Sequence, residues 1–244
     1  MAPDPQNENS MLYIENEFLK AGILKDVGGR VVWLSLQDKE NILKSDSTLW
    51  NEPESQRPEI SPVSEFKAYN GHIIWPGPQK DWWLQQDLNK ERKMEAAGWP
   101  PDPYLIYGDY TVNNSDQHFI AMTSPESRIS GLKLRKEVSI TGKNTIRFKA
   151  SGVNIRETPI KWDLWFNTRL DGTARFYVPV NANSLSRIKA EITPLKDTMR
   201  YEIINEYFTF IPQKPNRGKQ QRTTKAFIYP DAPFIAALHV YNFP

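Results

Sequence analysis

The sequence predicts a nearly all-β fold, a large antiparallel sandwich with one short helix. Three observations carry that expectation. About ten short runs rich in β-branched and aromatic residues are bounded by turn residues such as Gly28-Gly29, Thr141-Gly142-Lys143-Asn144 and Asp171-Gly172. Helix signals are scarce. The strand-like runs do not alternate with helices, which excludes a βαβ architecture.

The run Arg30–Leu36 places Val31 and Trp33 on one face and Val32, Leu34 and Leu36 on the other. Both faces are partly apolar, as in a strand inside a sandwich. Further strand-like runs are 104–112, 118–122, 132–140, 145–153 and 161–170, followed by 175–180, 200–211, 225–229 and 234–243. The single helix is expected over 88–97, with Asp87 as its N-cap, Gly98 after its last turn and Pro100 stopping it. Residues 1–10 are polar and proline-punctuated and read as a disordered or construction-derived tail. Residues 11–244 read as one sandwich domain, with 51–64 a polar loop inside it.

At 244 residues the chain can bury a core without staples. A formal net charge of +2 gives no reason to expect a polyanion partner, nucleic acid included. No apolar run approaches the ~20 residues of a membrane span, so membrane insertion is not expected. The absence of cysteine excludes disulfides, thiolate metal sites and thiol nucleophiles. It suits the cytosol and an export compartment equally. No metal-ligand spacing, nucleophile elbow or phosphate loop is present, and neither metal nor cofactor is expected.

Six of the eight tryptophans fall in two segments: Trp75, Trp82, Trp83 and Trp99, then Trp162 and Trp165. The first segment, 71–103, is too rich in Pro and Gly for regular structure and reads as a rigid aromatic loop. Sugars present C–H faces that stack on indoles and hydroxyls that need polar partners, and His72, Gln79, Asp81 and Asp102 share the stretch. The cluster reads as a ligand rim or as the capped end of a core. Of the three histidines, His118 and His239 lie in apolar runs and read as structural, while His72 lies beside the aromatic loop. In Lys161-Trp162-Asp163-Leu164-Trp165, strand alternation puts Asp163 and Trp165 on one face, where Asp163 either accepts sugar hydroxyls or pairs with a cation. The basic stretch Lys214, Arg217, Lys219, Arg222 and Lys225 reads as a solvated connection or an anion site.

Three stretches carry a family resemblance: residues 21–34 around Gly28-Gly29-Arg30, the loop Gly71-His72-Ile73-Ile74-Trp75-Pro76-Gly77-Pro78-Gln79, and residues 158–167 ending in Trp165-Phe166-Asn167. The chain resembles the galactose mutarotase-like family, the aldose 1-epimerase superfamily of β-supersandwiches, and within it an uncharacterised, DUF4380-like branch. The resemblance covers most of residues 11–180. It implies a sugar or oligosaccharide ligand on a concave face. His72 stands near the family's first acid–base histidine, and Asp163 stands where a second histidine is usual. No Leu-Glu-Pro-type segment follows Tyr241-Asn242-Phe243-Pro244, and the domain reads as short. The expected ligand contacts are Trp75, Gln79, Trp83, Trp99, Arg135, Trp162 and Trp165, with His72 and Asp163 as the acid–base pair of any catalysis. Three functions are in play: a carbohydrate-binding protein, an active aldose 1-epimerase or other carbohydrate-modifying enzyme, and a non-enzymatic interaction module of a polysaccharide-handling system.

Overall fold

Gly28 and Gly29 take left-handed φ angles of 74° and 51°, so the apolar runs on either side fold back on each other as a hairpin. In the computed structural model, which describes residues 11–170, 174–185, 189–192, 201–210 and 224–238, these runs are two of nine strands in a first compact unit, Met1–Leu170. The strands are β1 (Met11–Glu15), β2 (Leu19–Leu24), β3 (Arg30–Leu36), β4 (His72–Gly77), β5 (Thr111–Asp116), β6 (Phe119–Thr123), β7 (Leu132–Thr141), β8 (Thr145–Asn154) and β9 (Asp163–Thr168). They form two antiparallel sheets, ordered β1-β2-β3-β4-β9 and β5-β6-β7-β8.

The two sheets face each other. Ile14, Ala21, Ile23 and Val31 of the first pack with Ile120, Met122, Val138 and Ile140 of the second. The first sheet buries its other face as well. There Leu24, Val32, Ile73 and Trp75 pack with Tyr69, Trp82, Trp83, Ile106 and Tyr107 from the connections. This double burial is why its strands are apolar on both faces.

A second unit, Asp171–Pro244, has its own antiparallel strands. These are β10 (Arg175–Pro179), β11 (Lys189–Ile192), β12 (Tyr201–Ile204), β13 (Tyr207–Phe210), β14 (Thr224–Phe227) and β15 (Ala236–Leu238). Their order is β12-β13-β10-β15, with β11 paired to β14, around a core of Val178, Val180 and Phe208. The expected tail over 1–10, most of the basic stretch and His239 lie outside the described residues.

The all-β, antiparallel class stands, with three local differences. The expected helix is α1 (Lys90–Met94), capped by Asn89, whose Oδ1 accepts the Arg92 N–H at 2.9 Å. The run expected as a strand from 104 opens instead as α2 (Pro103–Tyr107). Asp102 accepts the Tyr104 N–H at 3.0 Å and Pro103 supplies the first helical φ, which together nucleate a turn that propensity alone disfavours. The supposed loop from residue 71 opens as strand β4. Beyond His72 this strand is laddered only to β9, so Pro76 is accommodated where one row of N–H groups has no ladder partner to lose. Among the described residues no helix is long and apolar enough to cross a membrane.

Candidate functional site

The β4–β9 ladder sorts the expected site residues. Its rungs run from His72 opposite Thr168 to Gly77 opposite Asp163, with Trp75 opposite Trp165. Cross-strand partners share a face and neighbours along a strand do not. Trp75, Trp165 and Asp163 therefore point one way and His72 the other. His72 is turned toward the second sheet, stacked on Phe148 with ring centres 4.0 Å apart. Five rungs separate it from Asp163, about 17 Å along the strands.

His72 is buried. Its Nδ1 lies 2.7 Å from the Thr168 hydroxyl, and its Nε2 has no hydrogen-bond partner. Burial, reinforced by the nearby Lys136 charge, lowers its pKa to about 3, so the ring is neutral across the physiological range.

The tryptophans divide by burial. Trp75, Trp82 and Trp83 are core residues. The Trp82 indole donates to the Pro76 carbonyl at 2.6 Å and the Trp83 indole to the Pro100 carbonyl at 2.8 Å. Trp162, partly buried, donates to the Ser130 carbonyl at 2.8 Å. Trp165 covers the backbone of Gly77 so closely that a Cβ there would lie 2.1 Å from its Nε1. Gly77→Ala is accordingly expected to cost about 1–3 kcal/mol of stability as an overpacking change. An unchanged urea midpoint would contradict this packing.

Trp99 alone of the first segment's indoles is substantially exposed, at 43 %. It meets Trp75 and Trp82 at centroid distances of 6.1 and 6.3 Å and lies against Phe66 at 4.5 Å. Gln79 holds the same loop by donating to the Gly98 carbonyl at 2.6 Å. Phe66 in turn lines an open hollow of about 350 Å³, walled also by Gln56, Glu59, Ser61, Glu65 and Lys67. That is the volume of a small-ligand site.

One arginine holds this hollow in shape. Arg92 of α1 donates to the carbonyls of Pro62 (2.9 Å) and Ser64 (3.2 Å) and to the Glu65 carboxylate (2.9 Å). Its guanidinium lies 4.6 Å from the centre of the Trp83 ring, so the wall of the hollow is fastened to the core.

Of the residues expected from sequence, the structure gathers Trp75, Gln79 and Trp99 at one end of the ladder, with Trp165 and Asp163 on the same face of the sheet. Trp83 and Trp162 support that end from within. Arg135 lies apart, exposed on β7 and paired with Glu137 at 3.3 Å, and His72 lies between the sheets. Phe66, Glu59, Glu65 and Lys67 went unforeseen. An aromatic closing the polar 51–64 stretch was their only local signal. Among the described residues no group of three or more His, Asp or Glu could hold a metal.

A family model described as a domain of unknown function, DUF4380, matches residues 10–242. The chain belongs to this family. The DUF4380 match spans both compact units. Searches of curated proteins and of solved structures found no match to this DUF4380 chain.

Proposed function

We propose that this chain binds a neutral sugar or short oligosaccharide on the exposed Trp99–Phe66 pair and in the adjoining hollow. The observation that carries the reading is the coincidence of three features in one place. An indole with 43 % of its surface open is backed by buried Trp75 and Trp82. Its partner Phe66 walls a hollow of about 350 Å³. Glu59, Ser61 and Glu65, which carry carboxylates and a hydroxyl, line the same hollow. An aromatic platform for C–H faces beside acceptors for hydroxyls is the chemistry a sugar needs. The likeness of 21–34, 71–79 and 158–167 to mutarotase-like sandwiches supports the same ligand class.

Binding without turnover is the form of this reading that the ladder favours, because a buried, neutral His72 and an exposed Asp163 stand on opposite faces of one sheet. Thermal melting against a panel of mono- and oligosaccharides tests it. At least one neutral sugar is expected to raise Tm, and Trp99→Ala is expected to weaken that sugar about tenfold or more while leaving the ligand-free Tm nearly unchanged. No shift across the panel, or full affinity in Trp99→Ala, contradicts the proposal.

A further inference from the structure

Alternation along β9 carries past its last rung. The Arg169 N–H donates to the Gly71 carbonyl at 3.0 Å, and the Arg169 carbonyl accepts the Lys44 N–H at 2.9 Å. The residue is thus pinned on both sides as the next rung after His72–Thr168. Period two places Asp163, Trp165, Asn167 and Arg169 on one face of the strand, the face that carries Trp75. The Arg169 guanidinium lies 5.8 Å from the centre of the Trp75 ring, and the Trp99 ring lies 6.1 Å from the same centre. Cation and exposed indole therefore stand within the length of two or three linked sugar rings.

The guanidinium of Arg169 is otherwise unused. It is half-buried, and among the described residues no carboxylate or carbonyl accepts from its five N–H groups. Burial lowers its pKa, and no neighbouring anion offsets that. The charge it does feel is of its own sign. Arg30 is fully buried and acts with Arg169 across the same face, but its donors are spent on the carbonyls of Val27, Asn70 and Ile106. Glu52, bonded to the Tyr69 hydroxyl below Arg30, is already paired with Lys67. Asp163, on the same face of β9, is six residues away, about 20 Å along the strand. A rigidly held fork of donors, laid on an indole and lacking a counter-charge, matches the two oxygens of a carboxylate.

We propose that the oligosaccharide bound at Trp99 is acidic: a neutral unit rests on the Trp99–Phe66 pair, and a uronate linked to it sets its carboxylate on the Arg169 guanidinium. This inference rests on the sugar reading of that pair and names the ligand class within it.

Matched probes test it by isothermal titration of the full chain at neutral pH. They are a glucuronosyl-xylotriose and a galacturonosyl-rhamnose, each beside its carboxyl-reduced neutral form. At least one acid is expected to bind about tenfold or more tighter than its reduced form. Arg169→Gln is expected to bring the acid down to its neutral partner, and Arg169→Lys, which keeps the charge and loses the fork, to restore only part of the preference. A reduced form that binds as tightly as its acid, with Trp99 still required, overturns this inference and leaves the sugar reading standing. Absence of binding by either form of both pairs overturns this inference; if no neutral sugar raises Tm either, the sugar reading falls with it. Equal weakening of both forms in Arg169→Gln assigns Arg169 to packing and also overturns it. Should that variant not fold, the acid-to-neutral ratio of the parent chain decides. It is expected to shrink as salt is raised, and a ratio indifferent to salt overturns the proposal.

Discussion

Replacing Trp83 with alanine is expected to destabilise the fold by about 3–5 kcal/mol, read from urea unfolding monitored by far-ultraviolet circular dichroism. Trp83 is fully buried in the core that covers the outer face of the first sheet. Its removal leaves a cavity the size of an indole and withdraws the donor that satisfies the Pro100 carbonyl. It also removes the ring on which the Arg92 guanidinium rests. Because Arg92 fastens residues 62–65, the hollow beside Phe66 should loosen with it. Trp83→Phe keeps most of the apolar area and should lose clearly less. A loss under about 1 kcal/mol for the alanine variant would contradict the central placement of this ring.

The second large effect is acid lability. His72 is held neutral in the fold, with a pKa of about 3 set first by burial and then by Lys136, whereas the unfolded chain takes up the same proton near 6.5. The sign follows directly. Above pH 6.5 neither state is protonated and the neutral ring costs nothing. As pH falls from 6.5 toward 3 the unfolded state gains a proton that the folded state refuses, and stability drops by about 1.4 kcal/mol per pH unit. Over that whole window the loss approaches about 4–5 kcal/mol. His72→Gln should flatten this part of the profile. Its stability relative to the parent should therefore improve steadily between pH 6.5 and pH 4, where carboxylate contributions common to both chains cancel. Parallel profiles for the two chains would show that His72 is accessible to protons in the fold.

These two residues also show what the sequence makes legible. The turn at Gly28-Gly29, strand β3 and the ladder of β7 and β8 are readable because their signals are local: φ-permissive glycines and period-two alternation. The aromatic stretch from residue 71 is readable only by half. Its proline and glycine content hides strand β4, and composition cannot separate an indole that fills a core from one that faces a ligand, since both are rigidly placed. Trp83 belongs to the first kind and Trp99 to the second. The placement of His72 on the opposite face from Asp163 is a matter of ladder register, which pairs residues 86 to 96 positions apart. The hollow is less legible still. Its wall is held by Arg92 across 27 to 30 residues of chain, and no short-range pattern encodes that contact.

The most direct test of sugar binding at Trp99 is the indole region of a ¹H–¹⁵N NMR spectrum, where the eight tryptophans are resolved and assigned by single substitutions. On titration with the sugar that raises Tm, the Trp99 indole resonance is expected to move most, followed by that of Trp75 beneath it, while that of Trp162, bonded to Ser130, stays nearly fixed. A saturable shift confined to other indoles, with Trp99 unmoved, would contradict a ligand site at the Trp99–Phe66 pair.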